Sequence, residues 1–181
     1  MISSQTNIFN KLIDDLSEKS HILQQFSLFI ANLDFILNIP YVSQKYNLYK
    51  PTITGESPFI NTTKLRHPLI EQCLNDELYV SNDIIFDSKN KGYLLYGTNA
   101  VGKSSFIKSI GIALIMAQSG FYVPSSSFSF FPYKKIFTRI LGNDNIFKGL
   151  STFAVEMLEF KNILEQCCEN SLIIGDELCS G

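Results

Sequence analysis

The stretch "YLLYGTNAVGKSS", residues 93–105, constrains this chain more than any other. Gly97 is followed by Thr98, Asn99, Ala100 and Val101, then by Gly102, Lys103 and Ser104, which is the G-x-x-x-x-G-K-[ST] spacing. Glycines at those two positions let the backbone turn tightly, so that successive N–H groups converge at the start of the following helix. Such a cradle takes a phosphate, Lys103 supplies the positive charge, and a Ser104 hydroxyl can hold Mg²⁺. The loop follows an apolar run, residues 93–96, and opens a helical pattern, as that chemistry requires.

A phosphate loop of this kind needs a strand before it and a helix after it, and the neighbouring segments supply both patterns. "LYVSNDIIF" and "KGYLLYG" read as strands, "KSSFIKSIGIALIMAQSG" as a helix closed by Gly120, and "KKIFTRIL" as a further strand. "STFAVEMLEFKNILEQCCE" is an amphipathic helix with Ser151 or Thr152 as its N-cap, and "SLIIG" is a short buried strand. Strands alternating with helices predict an α/β fold with a mainly parallel sheet flanked by helices. The P-loop strand and the strand before Asp176 are expected near its centre. Upstream, apolar residues recur at helical spacing from Ile8 to Leu37, and Asn38 with Pro40 predicts a break before a short helix through Tyr46. "YKPTITGESP" reads as a linker, so residues 1–50 form a helical stalk and residues 51–181 the nucleotide domain. "SSSFSFFPYKK" is expected to be surface loop and strand, without the pattern of a base-stacking platform.

The final strand ends in two adjacent acids, Asp176 and Glu177. Downstream of a phosphate loop, Asp176 suits a Mg²⁺ site and Glu177 a group that orients or deprotonates attacking water. A net charge of −2 gives the chain no basic excess with which to grip a nucleic acid duplex. The four cysteines, Cys73, Cys167, Cys168 and Cys179, lack metal-ligand spacing. With no signal-peptide pattern, a reducing interior compartment is expected: cytoplasm, nucleus or viral factory, with a mitochondrion as an alternative. The run "IGIALIMAQSGFYV" is too short and interrupted to span a bilayer, so no membrane partner is expected.

In order along the chain, "LDFILNI", "LRHPLIEQCLN", the phosphate loop, "IALIMAQSGFYVP", "IFTRI", "GLSTFAVEMLEFKNIL" and "GDELCSG" resemble the ATPase domain of the MutS mismatch-repair proteins. The similarity runs from about residue 20 to the end. Gly175 before the acids is reminiscent of the branch found in giant viruses and octocoral mitochondria.

The resemblance implies a dimeric, ABC-type P-loop ATPase that uses ATP and Mg²⁺ and releases ADP. Its phosphate loop comprises Gly97, Asn99, Gly102, Lys103, Ser104 and Ser105, while Thr98, Ala100 and Val101 depart from the common proline, methionine and glycine. Tyr79 and Val80 fall where the family places the pair that holds adenine. Tyr79 has a flat face for stacking, but a strand tyrosine packed in a core fits the residues as well. Ser151 falls where the family reaches the γ-phosphate bound by the other subunit, and an ordinary N-cap role is compatible with that. His67 is expected to be structural. The implied partners are a second copy or a MutS-like heterodimer partner, with mismatched DNA held by domains absent from this chain. The chain is therefore expected to be incomplete at its C-terminus. The alternative is a truncated nucleotide-binding module or gene fragment with little ATPase activity of its own.

Overall fold

A computed structural model describes residues 2–74, 78–98, 101–140 and 152–176. The chain divides into two compact units, Met1–Gln44 and Lys45–Gly181.

The first unit is helical. Helix α1 spans Ile2–Glu18, and after Lys19 helix α2 runs over Ser20–Lys45. The expected break at Asn38 and Pro40 does not occur; Pro40 lies inside α2 and the interruption falls at Lys19 instead. Proline removes one N–H and crowds the carbonyl four residues back, but that is a single ladder bond in a helix of 26 residues. Asn38 stays helical by donating to the backbone and side-chain oxygens of Asp34, both at 2.9 Å. Helix α2 is long and apolar enough to cross a membrane by length and composition alone. Asn32, Asp34 and Asn38 lie within the same helix, and such groups are costly in hydrocarbon.

The second unit is mixed α/β. Strands β1 (Thr52–Ile53), β2 (Ile60–Leu65), β3 (Asn82–Phe86) and β4 (Ser127–Phe130) form one sheet in the order β1-β4-β2-β3. In this sheet β1 pairs with β4 in parallel, whereas β2 is antiparallel to both β3 and β4. Strands β5 (Lys135–Arg139) and β6 (Ser171–Gly175) form a separate parallel pair. The described sheets are therefore mixed rather than mainly parallel. Residues 91–97 form no strand: they make no ladder pairing, and Leu94 and Tyr96 are each more than nine-tenths exposed.

Strand β2 lay hidden in the sequence because its core face changes register. Ile60 and Thr62 point inward, but a bulge between Thr62 and Leu65, with Lys64 at φ 50°, makes Leu65 the next buried residue. The polar Thr62 is satisfied there by donating to the Ser127 carbonyl at 2.9 Å.

Helix α4 (Lys103–Gln118) joins the two sheets. Its buried residues Ile110, Ala113, Leu114 and Ala117 share one core with Ile60, Leu65, Phe128 and Phe130 of the mixed sheet, and with Leu172 and Ile174 of β6. At its C-terminal end, Gln118 brackets Tyr133, accepting from its N–H at 2.6 Å and donating to its carbonyl at 3.1 Å. Short helix α3 (Pro68–Cys73) and helix α5 (Thr152–Gln166) complete the unit, with Ile163 of α5 buried. Together β5, α5 and β6 form a βαβ crossover, the connection that parallel neighbours require.

Gly111 is where α4 comes closest to β6. A Cβ there would lie 2.7 Å from Ile174 Cδ1, the flexible tip of that side chain. Gly111→Ala is expected to be near neutral, because a turn of the Ile174 tip is offset by up to about 1 kcal/mol of helix propensity. Gly111→Leu should cost about 1–3 kcal/mol through overpacking, read as a lower urea midpoint at unchanged slope. Equal midpoints for the Leu variant and the parent would contradict this packing.

Candidate functional site

The loop into α4 carries the first part of the site. Gly102 is the residue before the helix, at φ 94° and ψ 13°, a left-handed conformation that disfavours any side chain. Having none, it leaves the first N–H groups of α4 without a side-chain cap, so that end of the helix is open to an anion. Lys103 folds back over the loop, donating from Nζ to the Gly97 and Thr98 carbonyls, each at 2.8 Å. Ser104 and Ser105 follow in the first turn, half-buried, and Val101 is exposed. Asn99 and Ala100 lie outside the described residues.

The second part is the carboxyl end of β6. Parallel register sets Arg139 of β5 opposite Gly175, and the Asp176 N–H donates to the Arg139 carbonyl at 2.8 Å. The ladder therefore fixes the backbone of Asp176 one residue past the strand. Strand β6 meets α4 at Gly111 and Ile174, so the helix that starts at Lys103 packs on the strand that leads into Asp176. Carboxylate and hydroxyl oxygens at Asp176 and Ser104 are the hard donors that suit Mg²⁺. Glu177 and Ser151 lie outside the described residues.

The third part surrounds Tyr79, which is half-buried, whereas Val80 is exposed. Burial pushes the Tyr79 phenol above its usual pKa, and the nearby His67 backbone opposes that rise. His67 also caps α3: its Nδ1 accepts from the Ile70 N–H at 3.3 Å, with Pro68 opening the helix. Arg66 reinforces the same corner, pairing with Glu71 at 2.7 Å and donating to the Asn47 carbonyl. The structure thus gives His67 a capping role.

Arg139 and Glu159 escaped the sequence reading. The available signal was a guanidinium inside an apolar strand, "KKIFTRIL", which needs a partner if it is buried. Arg139 Nε lies 2.8 Å from Glu159 Oε2 on α5, a close ion pair not aligned as a hydrogen bond.

Residues 93–181 match the family described as MutS domain V. A mutS-homologue DNA mismatch repair protein of Acanthamoeba polyphaga mimivirus is 36% identical across 91% of this chain and 18% of its own length. The mitochondrial mutS homologue of Sarcophyton glaucum is 39% identical across 84% of this chain and 16% of its own length. MutS of Staphylococcus epidermidis is 37% identical across 99% of this chain and 20% of its own length. The viral and octocoral proteins thus stand beside bacterial ones at comparable identity, and the chain spans about a fifth of the length of these relatives. The chain belongs to the MutS family of DNA mismatch-repair proteins.

The His67 cap generates a pH prediction. Burial, and then the charge of Lys108, hold the imidazole below its ordinary pKa of 6.5. The unfolded chain then binds the proton more readily, so this contribution to stability is present above the ordinary value and lost as pH falls below it. Protonation also removes the Nδ1 acceptor. Between about pH 7.5 and about pH 5.5 the melting temperature should fall more in the parent than in His67→Asn, which caps without titrating. Parallel falls in both proteins would contradict this.

Proposed function

We propose that this MutS-family chain binds ATP at the loop entering α4 and hydrolyses it with Mg²⁺, as the nucleotide-driven switch of a mismatch-repair protein. The observation that carries this reading is the Lys103 ammonium resting on the Gly97 and Thr98 carbonyls above an uncapped helix start. Two neutral carbonyls hold a cation less strongly than phosphate oxygens do, so an incoming phosphate exchanges a weaker partner for a stronger one.

In this reading Gly97 to Ser105 wrap the phosphates, and the loop N–H groups, Asn99 among them, donate to their oxygens. Ser104 and Asp176 hold Mg²⁺, which when bound neutralises charge on the phosphate oxygens. Glu177 orients water or takes its proton. The Tyr79 ring and the exposed Val80 side chain receive adenine. Ser151 meets the γ-phosphate of a second subunit, a copy of this chain or a MutS-like partner. Mismatched DNA is held by other parts of the protein, and nucleotide state reaches them through the N-terminal helices.

The same reading includes the fold of a P-loop ATPase. A cavity of about 550 Å³ lies close by, with Tyr93 and Leu95 on one side and Ile173 and Ile174 of β6 on another. Tyr93 already anchors that segment, donating to the Ile85 carbonyl at 2.7 Å and packing edge-on against Phe86.

The test is nucleotide binding and turnover by the purified chain. Lys103→Ala should weaken Mg-ATP binding roughly 10- to 100-fold, the worth of a charge-assisted bond. Glu177→Gln should keep that affinity and lower turnover by about 100-fold or more. Binding without turnover in the parent would leave a nucleotide-binding module, and Lys103-independent binding would contradict the site itself.

A further inference from the structure

Arg66 ties together three separate segments of the Lys45–Gly181 unit. Its N–H donates to the Pro124 carbonyl at 2.8 Å, which fixes its backbone just past the end of β2. Its guanidinium divides between two oxygens. Nη1 pairs with Glu71 Oε1 of α3 at 2.7 Å, and Nη2 donates to the Asn47 carbonyl. Asn47 is the second residue after α2 and stands in the left-handed region at φ 50°. Two residues further on, Tyr49 and Val123 exchange both backbone bonds, at 2.7 and 2.9 Å. Val123 precedes Pro124, so residues 47–49, Arg66 and residues 123–124 close into one junction.

The same guanidinium adjoins the Tyr79 corner. His67 follows Arg66 in the chain, and Glu71 is the partner of Nη1. Beyond burial, the His67 backbone and then the Glu71 charge act on the Tyr79 phenol, so both groups lie near it. Only 17% of the Arg66 side chain is exposed, against 30% for Glu71. A planar fork so confined holds its two oxygens at a fixed angle, which a single ammonium cannot do. A shift of Glu71 is thereby passed to the Asn47 carbonyl.

We infer that Arg66 is a positioning residue that couples the Tyr79 corner to residues 47–49, so that adenine seated on Tyr79 tightens the junction following α2. This rests on the proposed ATPase reading, in which Tyr79 and Val80 receive adenine. Arg66 itself touches neither adenine nor phosphate there. Coupling of this kind is reciprocal: the factor by which adenine tightens the junction is the factor by which an opened junction weakens nucleotide binding.

The experiment follows amide hydrogen exchange at Tyr49 and Val123, whose N–H groups form the bridge, in the parent chain, Arg66→Gln and Glu71→Gln. Each is measured alone, with a non-hydrolysable Mg-ATP analogue, and with Mg-tripolyphosphate, which offers the phosphates without adenine. Affinity for the analogue is measured beside it. In the parent the analogue should slow both amides by about fivefold or more, while tripolyphosphate leaves them within about twofold. Arg66→Gln should lose that slowing and bind the analogue more weakly by a matching factor. Glu71→Gln should lose the slowing too; it attacks the pair from its more exposed side and keeps the test available if Arg66→Gln does not fold. Equal slowing in Glu71→Gln and the parent overturns the inference. So does slowing by tripolyphosphate equal to that by the analogue, or no slowing in a parent that binds the analogue. A parent that binds the analogue no more tightly than Lys103→Ala is a separate outcome: it overturns the nucleotide reading, and this inference falls with it.

Discussion

The buried face of α4 is the contact on which the Lys45–Gly181 unit depends. Ile110, Ala113, Leu114 and Ala117 lie against Phe128 and Phe130 on one side and against Leu172 and Ile174 on the other. A helix that serves two sheets at once has little freedom to shift, because each movement opens space against one of them. Its N-terminus, where the glycine loop ends and Lys103 begins, inherits that rigidity. A phosphate site at the mouth of such a helix needs little local ordering beyond the loop itself.

The crossover β5–α5–β6 is the complementary constraint. Parallel pairing from Lys135 with Ser171 to Arg139 with Gly175 brings both strands to an end together. Asp176 continues that ladder by one bond, so its backbone position is set by register rather than by its own side chain. Ligand chemistry in open α/β architectures gathers at the carboxyl ends of parallel strands, and here those ends lead into an acidic residue, Asp176. Contact between α4 and β6 at Gly111 and Ile174 ties the helix that follows the glycine loop to the strand that leads into that acidic end.

Much of this was legible in the sequence wherever local pattern and tertiary role agree. Helices α4 and α5 and strands β5 and β6 all fall within stretches whose apolar spacing announced them, and β3 occupies the end of "LYVSNDIIF". Strands β1 and β2 were missed for a physical reason. The segment around β1 carries Pro51 and Gly55, the usual marks of a linker, and β2 buries a threonine and then changes register at a bulge. Pro40 misled in the opposite direction, because losing one ladder bond does not stop a long helix. For the candidate site, the glycine spacing located the turn, and the structure then put Gly102 in the left-handed region and Lys103 on the loop carbonyls. The His67 cap and the Arg139–Glu159 pair depend on residues brought together by folding, so no local spacing could have revealed their partners. Asn99, Ala100, Ser151 and Glu177, named from motif and resemblance, lie outside the described residues.

In the proposed site Lys103 holds the Gly97 and Thr98 carbonyls in place of a phosphate. A crystal structure of this chain with Mg²⁺ and a non-hydrolysable ATP analogue tests it directly. Phosphate oxygens should lie against the first N–H groups of α4, with Lys103 Nζ moved from both carbonyls to the phosphates. Nucleotide bound elsewhere, or Lys103 still on Gly97 and Thr98 beside a bound nucleotide, would contradict it.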